Sequence, residues 1–384
     1  MSTVSRRNFL IGAAGVAAAG ATGLDLAWSG GSRHAAVAKN PSPSDATLVL
    51  CTLYGGNDGL NTVIPYNNSD YQSLRGSLAF QPNEVIPLDH TLALHPSLTG
   101  FKKLWDAGQL AIIQGIGYPN PQLSHFRSMD IWQSAVPDTD VSTGWVGRWM
   151  DATGADPLKA VSVGELLPMV MTGERALGAA VPVTPMVLPG NAAAQHDFTT
   201  LCTPTAGEPP VLGAIAQSGS DMLRVQATVS AALGSGTTLG SLASPGSGAT
   251  KGATASPGSG AVSGSGATKD ATAAGAAGGL GTQLDTVGKL ITAGVPTKVF
   301  GVSLQSFDTH ADEKTTQAKL LAELDAAVSA FVAQMATDPA GRHSVVVMYS
   351  EFGRRVQSNA SGGTDHGAAS VAFVAGPDFG GGNA

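Results

Sequence analysis

The chain has 384 residues, room for one large α/β domain or two to three smaller ones. Hydrophobic residues make up 43%, which excludes a disordered chain and a membrane bundle; charged residues are 13% against a usual figure of about 25%, with 50 Gly and 22 Pro, a balance that calls for extensive loops. The 21 Lys and Arg against 28 Asp and Glu leave a net charge of −7, which repels phosphate backbones and argues against a nucleic-acid partner.

Residues 1–38 read as a targeting segment: SRRNFL from Ser5, an Ala/Gly-rich apolar run, then Ala36-Val37-Ala38 as a small-residue cleavage site. This is a twin-arginine signal, so the expected partner is the twin-arginine export machinery and the expected location is periplasmic, cell-envelope or extracellular. The apolar run is shorter than the roughly 20 residues of a spanning helix, and no permanent membrane span is expected. Two cysteines, Cys51 and Cys202, supply neither a zinc-finger ligand set nor a disulfide framework, and Cys51 in its apolar run reads as a buried thiol.

The first strand signal is TLVLCTLY at 47–54, a continuous β-branched run of the kind buried on both faces of a parallel sheet. Similar runs follow at 110–116, 298–304, 344–349 and 371–375. Helical patterns alternate with them at 98–107, 125–133, 211–233, 280–293 and 311–335; in the last, Leu320, Leu321, Leu324, Val328, Phe331 and Met335 form one apolar stripe. Ser124 is placed to cap the second of these helices. The expected fold class is α/β, a doubly wound, mainly parallel sheet flanked by helices, in a single domain over 45–384.

Residues 234–279 interrupt that domain with Gly, Ala, Ser and Thr, and SPGSGA occurs at both Ser244 and Ser256. With few large apolar side chains, this insertion is expected to be disordered. The chain stops at Ala384 just after an apolar strand, which is compatible with a truncated product.

Three acids follow buried strands at once: Asp58, Asp308 and Glu351. In an open parallel sheet the carboxyl ends share one edge, where ligand crevices form, so these carboxylates converge if their strands are neighbours. His310 in DTH and His366 in TDHG, with Asp365 beside it, travel with them. Oxygen and imidazole donors in this mixture suit a divalent metal ion, Zn, Mn or Mg. After the 110–116 strand, YPNPQLSHFR brings Ser124, His125 and Arg127 to a Pro-bounded helix start. Ser124 is a candidate nucleophile or simply the cap, His125 a candidate ligand or acid/base, and Arg127 a candidate anion clamp, as is Arg354. Asn57 adjoins Asp58 and is a candidate substrate contact. GGNDG at 55–59 lacks the GxGxxG spacing, so no nucleotide cofactor is expected.

The ordered set SRRNFL, YGGNDGLNTVIPY, ALHPSL, IGYPNPQLSHF, GWVGRW, SFDTHADE, YSEFGRRV and GGTDHGAAS resembles the bacterial domain of unknown function 1501 family, from Leu48 to Gly376 apart from the insertion. That family is similar to the alkaline phosphatase-like superfamily. The resemblance implies metal-assisted hydrolysis of a phosphate or sulfate ester, with Asp58, Asp308, His310 and His366 in metal positions and Ser124 and His125 near the nucleophile. Two departures stand out: one residue separates Asp308 from His310 where three are usual, and Glu351-Phe352 replaces Asp-His. A non-catalytic envelope binding protein with a degenerate site on the same fold is the competing expectation.

Overall fold

The computed structural model describes residues 46–184, 190–234 and 279–379. The segment read as an export signal, nearly all of the low-complexity insertion and the last five residues lie outside the described residues.

Strands β1 (Thr47–Leu53), β2 (Val63–Ile64), β3 (Ile86–Pro87), β4 (Ala93–Leu94), β5 (Leu110–Ile116), β6 (Ala160–Val163), β7 (Ala179–Val181), β8 (Val299–Leu304), β9 (Ser344–Tyr349), β10 (Gly353–Ser358), β11 (Thr364–Gly367) and β12 (Ser370–Ala375) alternate with helices α1 (Gly59–Thr62), α2 (Ser69–Arg75), α3 (Thr99–Asp106), α4 (His125–Ser134), α5 (Trp145–Thr153), α6 (Ala192–Leu201), α7 (Pro210–Ala232), α8 (Leu280–Thr292) and α9 (Glu313–Thr337). Seven strands form one sheet in the order β5-β12-β9-β1-β8-β6-β7. All run parallel except β12, which is antiparallel to both β5 and β9. The chain is therefore a mixed α/β fold on a mostly parallel sheet flanked by helices.

Strand β1 shows why its sequence is apolar without alternation. Val49, Cys51 and Leu53 join the core shared with α3, α8 and α9, whereas Leu50 joins a second core with Val146 and Met150 of α5. Both faces are covered, so both sets of alternating side chains must be apolar. Both cysteines are free and buried, and burial pushes the Cys51 thiol up to about 12. Helix α9 is long and apolar enough to cross a membrane by length and composition, but its stripe from Leu321 through Leu324, Val328 and Phe331 to Met335 is buried in the core. Its Asp325 accepts hydrogen bonds from the Gly100 and Phe101 amides, at 2.8 and 2.7 Å, and so satisfies the open N-terminus of α3.

Behind the sheet edge lies a fully buried ionic cluster. The Arg75 guanidinium donates to both Asp58 oxygens and to the Arg355 carbonyl, and lies 3.6 Å from Glu313. Burial works against Asp58 ionising, but Arg75 outweighs it and holds the carboxyl below its ordinary value. Burial and the charge on Asp58 push Glu313 up to about 9, so Glu313 is a neutral acid at pH 7. Its ordinary value of 4.5 applies in the unfolded chain. Between these two values the folded state holds the extra proton, so stability is full below the lower value and falls as pH rises, by up to about 1.4 kcal/mol per pH unit. Glu313→Gln is expected to flatten that slope and to melt above wild type at pH 8; thermal melts from pH 5 to 9 check this, and identical profiles for the two proteins would contradict it.

Candidate metal centre

The ends of β1, β8 and β9 are adjacent, and each opens into a loop at one rim of the sheet. The β1 turn presses on the β8 loop: Gly55 has φ +118, and a Cβ there would sit 2.4 Å from the Asp308 nitrogen. The Phe307 amide donates to the Tyr54 carbonyl at 3.0 Å. Two non-glycine residues in the left-handed region, Ser306 and Asp312, bracket the loop that carries Asp308 and His310. On the other side, the β10–β11 ladder pairs Arg354 with His366. The Thr364 amide donates to the Thr309 carbonyl at 3.2 Å, fixing that hairpin against the same loop. Helix α4 brings His125 in from a third direction.

Four side chains meet there. His310 Nε2 lies 3.1 Å and His366 Nε2 3.2 Å from Asp308 Oδ1, and the two Nε2 atoms are 3.0 Å apart. His125 Nε2, a buried atom, lies 3.5 Å from Asp308 Oδ2. One donor atom each from His125, Asp308 and His366 falls within 4.8 Å of the others. The cluster is reachable from solvent, with Asp308 43% and His310 45% exposed. Phe352, 2% exposed, forms the wall, its ring centroid 4.8 Å from His125 and 4.6 Å from His366.

Electrostatics follow from this crowding. Burial opposes a charge on Asp308, but hydrogen bonds from His125, His366 and Arg354 hold its carboxyl well below the usual carboxylate range. Burial likewise opposes a charge on His125, yet hydrogen bonds to Asp308 and Glu351 prevail and push it up to about 9. At neutral pH His125 therefore takes up a proton unless another cation takes its place, so it is poorly suited to act as a general base.

The sequence candidates sort into three groups. Asp308, His310, His366 and His125 come together. Glu351 and Asp365 stand behind the imidazoles: Glu351 Oε1 is 2.8 Å from His125 Nδ1, and Asp365 Oδ1 is 3.3 Å from His310 Nδ1. The rest point elsewhere. Asp58, expected at the rim, is instead locked on Arg75 with no side-chain exposure and also caps α1 through the Leu60 amide. Asn57 is buried, accepting from Thr62 Oγ1 and Gln317 Nε2, and faces the core rather than a substrate. Arg127 turns away to Asp140 at 2.5 Å and is not a clamp at the cluster. Arg354 is buried and donates to the carbonyls of Gly55, Gly56, Phe307 and Thr364 and to Asp308, so it braces the loops from inside the protein. Ser124 is exposed at the start of α4, and its hydroxyl makes no cap bond. Arg75 went unnoticed in the sequence, where SLRGSL offers no sign of a buried cation.

The donor set fits a divalent metal ion. The two Nε2 atoms, 3.0 Å apart, are within reach of one N–H···N hydrogen bond, and with both Nδ1 atoms protonated the same two lone pairs, beside the carboxylate, are the donors that a divalent cation takes. Three imidazoles and one carboxylate match zinc better than magnesium.

Residues 264–384 match the family described as "Protein of unknown function (DUF1501)". The DUF1501 match takes in Asp308, His310, Glu351, Arg354, Asp365 and His366, and stops short of Ser124 and His125. No curated protein matches the chain. Among solved structures, the crystal structure of the C-terminal periplasmic domain of EcEptC from Escherichia coli aligns at 10% identity, covering 88% of this chain and 74% of that one, with a TM-score of 0.35.

Substituting Gly55 by Ala forces a side chain into the Asp308 backbone at a positive φ. The expected outcome is a folded protein destabilised by roughly 1–3 kcal/mol that no longer retains metal. Melting and metal content check this together, and wild-type values in both would contradict it.

Proposed function

We propose that the chain is an exported, metal-dependent hydrolase of alkaline phosphatase-like descent that acts on a phosphate or sulfate ester. The observation that carries the reading is the convergence of three imidazole Nε2 atoms on the Asp308 carboxylate at a solvent-reachable rim. His125, His310, His366 and Asp308 would hold the ion. When bound, such an ion polarises an ester oxygen and lowers the pKa of an attacking hydroxyl or water. The chain's own contribution is position. Ser124 precedes His125, and its uncommitted hydroxyl is the candidate nucleophile. The amides at the start of α4, which no side chain caps, would favour a negative charge placed near them. Arg354 holds the β1 and β8 loops in register without touching substrate. The twin-arginine signal supports an envelope or extracellular site of action.

The test is a screen of aryl phosphate and aryl sulfate esters with the full chain loaded with zinc, manganese or magnesium. Turnover that falls to background in Ser124→Ala, with metal retained, is the expected result. Stoichiometric metal without turnover of any ester would overturn the hydrolase and favour a non-catalytic binding protein on the same fold.

A further inference from the structure

Each imidazole of the cluster has a second nitrogen, and the acceptors of those nitrogens are unequal. His366 Nδ1 donates to the Leu123 carbonyl at 2.7 Å, and His310 Nδ1 lies 3.3 Å from Asp365, a side chain 51% exposed. His125 Nδ1 meets the one buried carboxylate of the three, Glu351, whose side chain is 1% exposed.

We infer that Glu351 is a positioning residue: it keeps a proton on His125 Nδ1 and so leaves Nε2 as the atom turned toward Asp308 and free for a metal ion. This rests on the metal reading above and adds the element that orients one of its donors. Glu351 Oε1 also accepts the Gly55 amide at 2.8 Å, which ties the carboxylate to the β1 turn beside Asp308. Its own carbonyl accepts Ser128 Oγ at 2.6 Å and Trp132 Nε1 at 2.8 Å, which fixes the first turns of α4, and with them His125, against the end of β9. Phe352 packs on the His125 ring at 4.8 Å and limits its rotation. The imidazole is thus held by the Glu351 hydrogen bond, by ring contacts with Phe352 and His366 and by its helix, and of these the hydrogen bond chooses the tautomer. Glu351 itself lies on the Nδ1 side of the ring, away from the converging Nε2 atoms, and serves the site through His125 rather than as a ligand. An outer partner that carries charge also raises the basicity of the imidazole it holds.

The experiment uses zinc titration and nitrogen–proton NMR of histidine-labelled full chain, for wild type, Glu351→Ala and Glu351→Gln. Wild type should show a slowly exchanging His125 Nδ1 proton with and without zinc. Glu351→Ala should lose that signal and bind zinc roughly 10–100-fold more weakly. Glu351→Gln keeps an acceptor for the ring but no charge; it should keep the signal and weaken zinc by about tenfold, the low end of that range. If the alanine protein does not fold, the glutamine protein decides alone, and wild-type affinity in it overturns the inference. Wild-type zinc affinity or a retained Nδ1 proton in folded Glu351→Ala overturns it too. Should wild type bind no zinc while the signal still depends on Glu351, the orienting role stands and the metal reading fails.

Discussion

Asp308→Ala is expected to abolish metal binding while leaving the chain folded. Among the described residues, Asp308 is the one carboxylate that all three imidazoles approach, at 3.1, 3.2 and 3.5 Å. Without it, three imidazoles face one another with no carboxylate among their Nε2 atoms, and Glu351 and Asp365 remain only on the Nδ1 sides of two of the rings. Removing an outer-sphere partner weakens a metal site by about 10–100-fold, and loss of this direct donor should exceed that. The fold should survive because Arg354, the partner Asp308 leaves behind, keeps four backbone carbonyls. Elemental analysis after dialysis and a thermal melt check both halves. Retained metal would contradict the ligand assignment, and an unfolded variant would contradict the division between site and scaffold.

The second large effect falls on stability. Arg75→Met should cost about 3–5 kcal/mol, the range for breaking a buried ion pair by removing one partner. At roughly 2–4 °C per kcal/mol for a domain of 150–250 residues, melting should drop by about 10 °C. The reason is local: Asp58 is fully buried and paired with Arg75, its one cation among the described residues, and Glu313 beside it is already neutral. Arg75→Met combined with Asp58→Asn should recover part of the loss, because the second change removes the charge the first leaves stranded. Thermal melts of the single and double variants measure it; a single variant as stable as wild type would show that the cluster contributes nothing.

Much of the scaffold was legible in the sequence because burial on both faces writes itself as uninterrupted β-branched runs. TLVLCTLY, VFGVSL and SVVVMY are each followed by an acid, Asp58, Asp308 and Glu351, and their strands are neighbours in the sheet. The short strands β6 and β7 were not legible, since AVSV and AAV carry too few residues for a pattern. DTH and TDHG pointed to Asp308, His310 and His366, because strand-end loops deliver such residues to one rim. Asp58 carried the same signature and went the other way. What separates it from Asp308 is Arg75, seventeen residues on and turned inward from α2, and no local pattern announces which arginine turns inward. Arg127 and Arg354 failed as clamps for a related reason: their partners, Asp140 and a ring of carbonyls, are set by tertiary packing. The His125–Glu351 pair spans 226 positions, so only the fold could join it.

The most direct test of the central claim is X-ray absorption at the zinc edge of zinc-loaded full chain. Three imidazole nitrogens and one carboxylate oxygen, at about 2.0–2.2 Å, with one zinc per chain, are the predicted result. A first shell made of oxygen alone, or one containing sulfur, would contradict it.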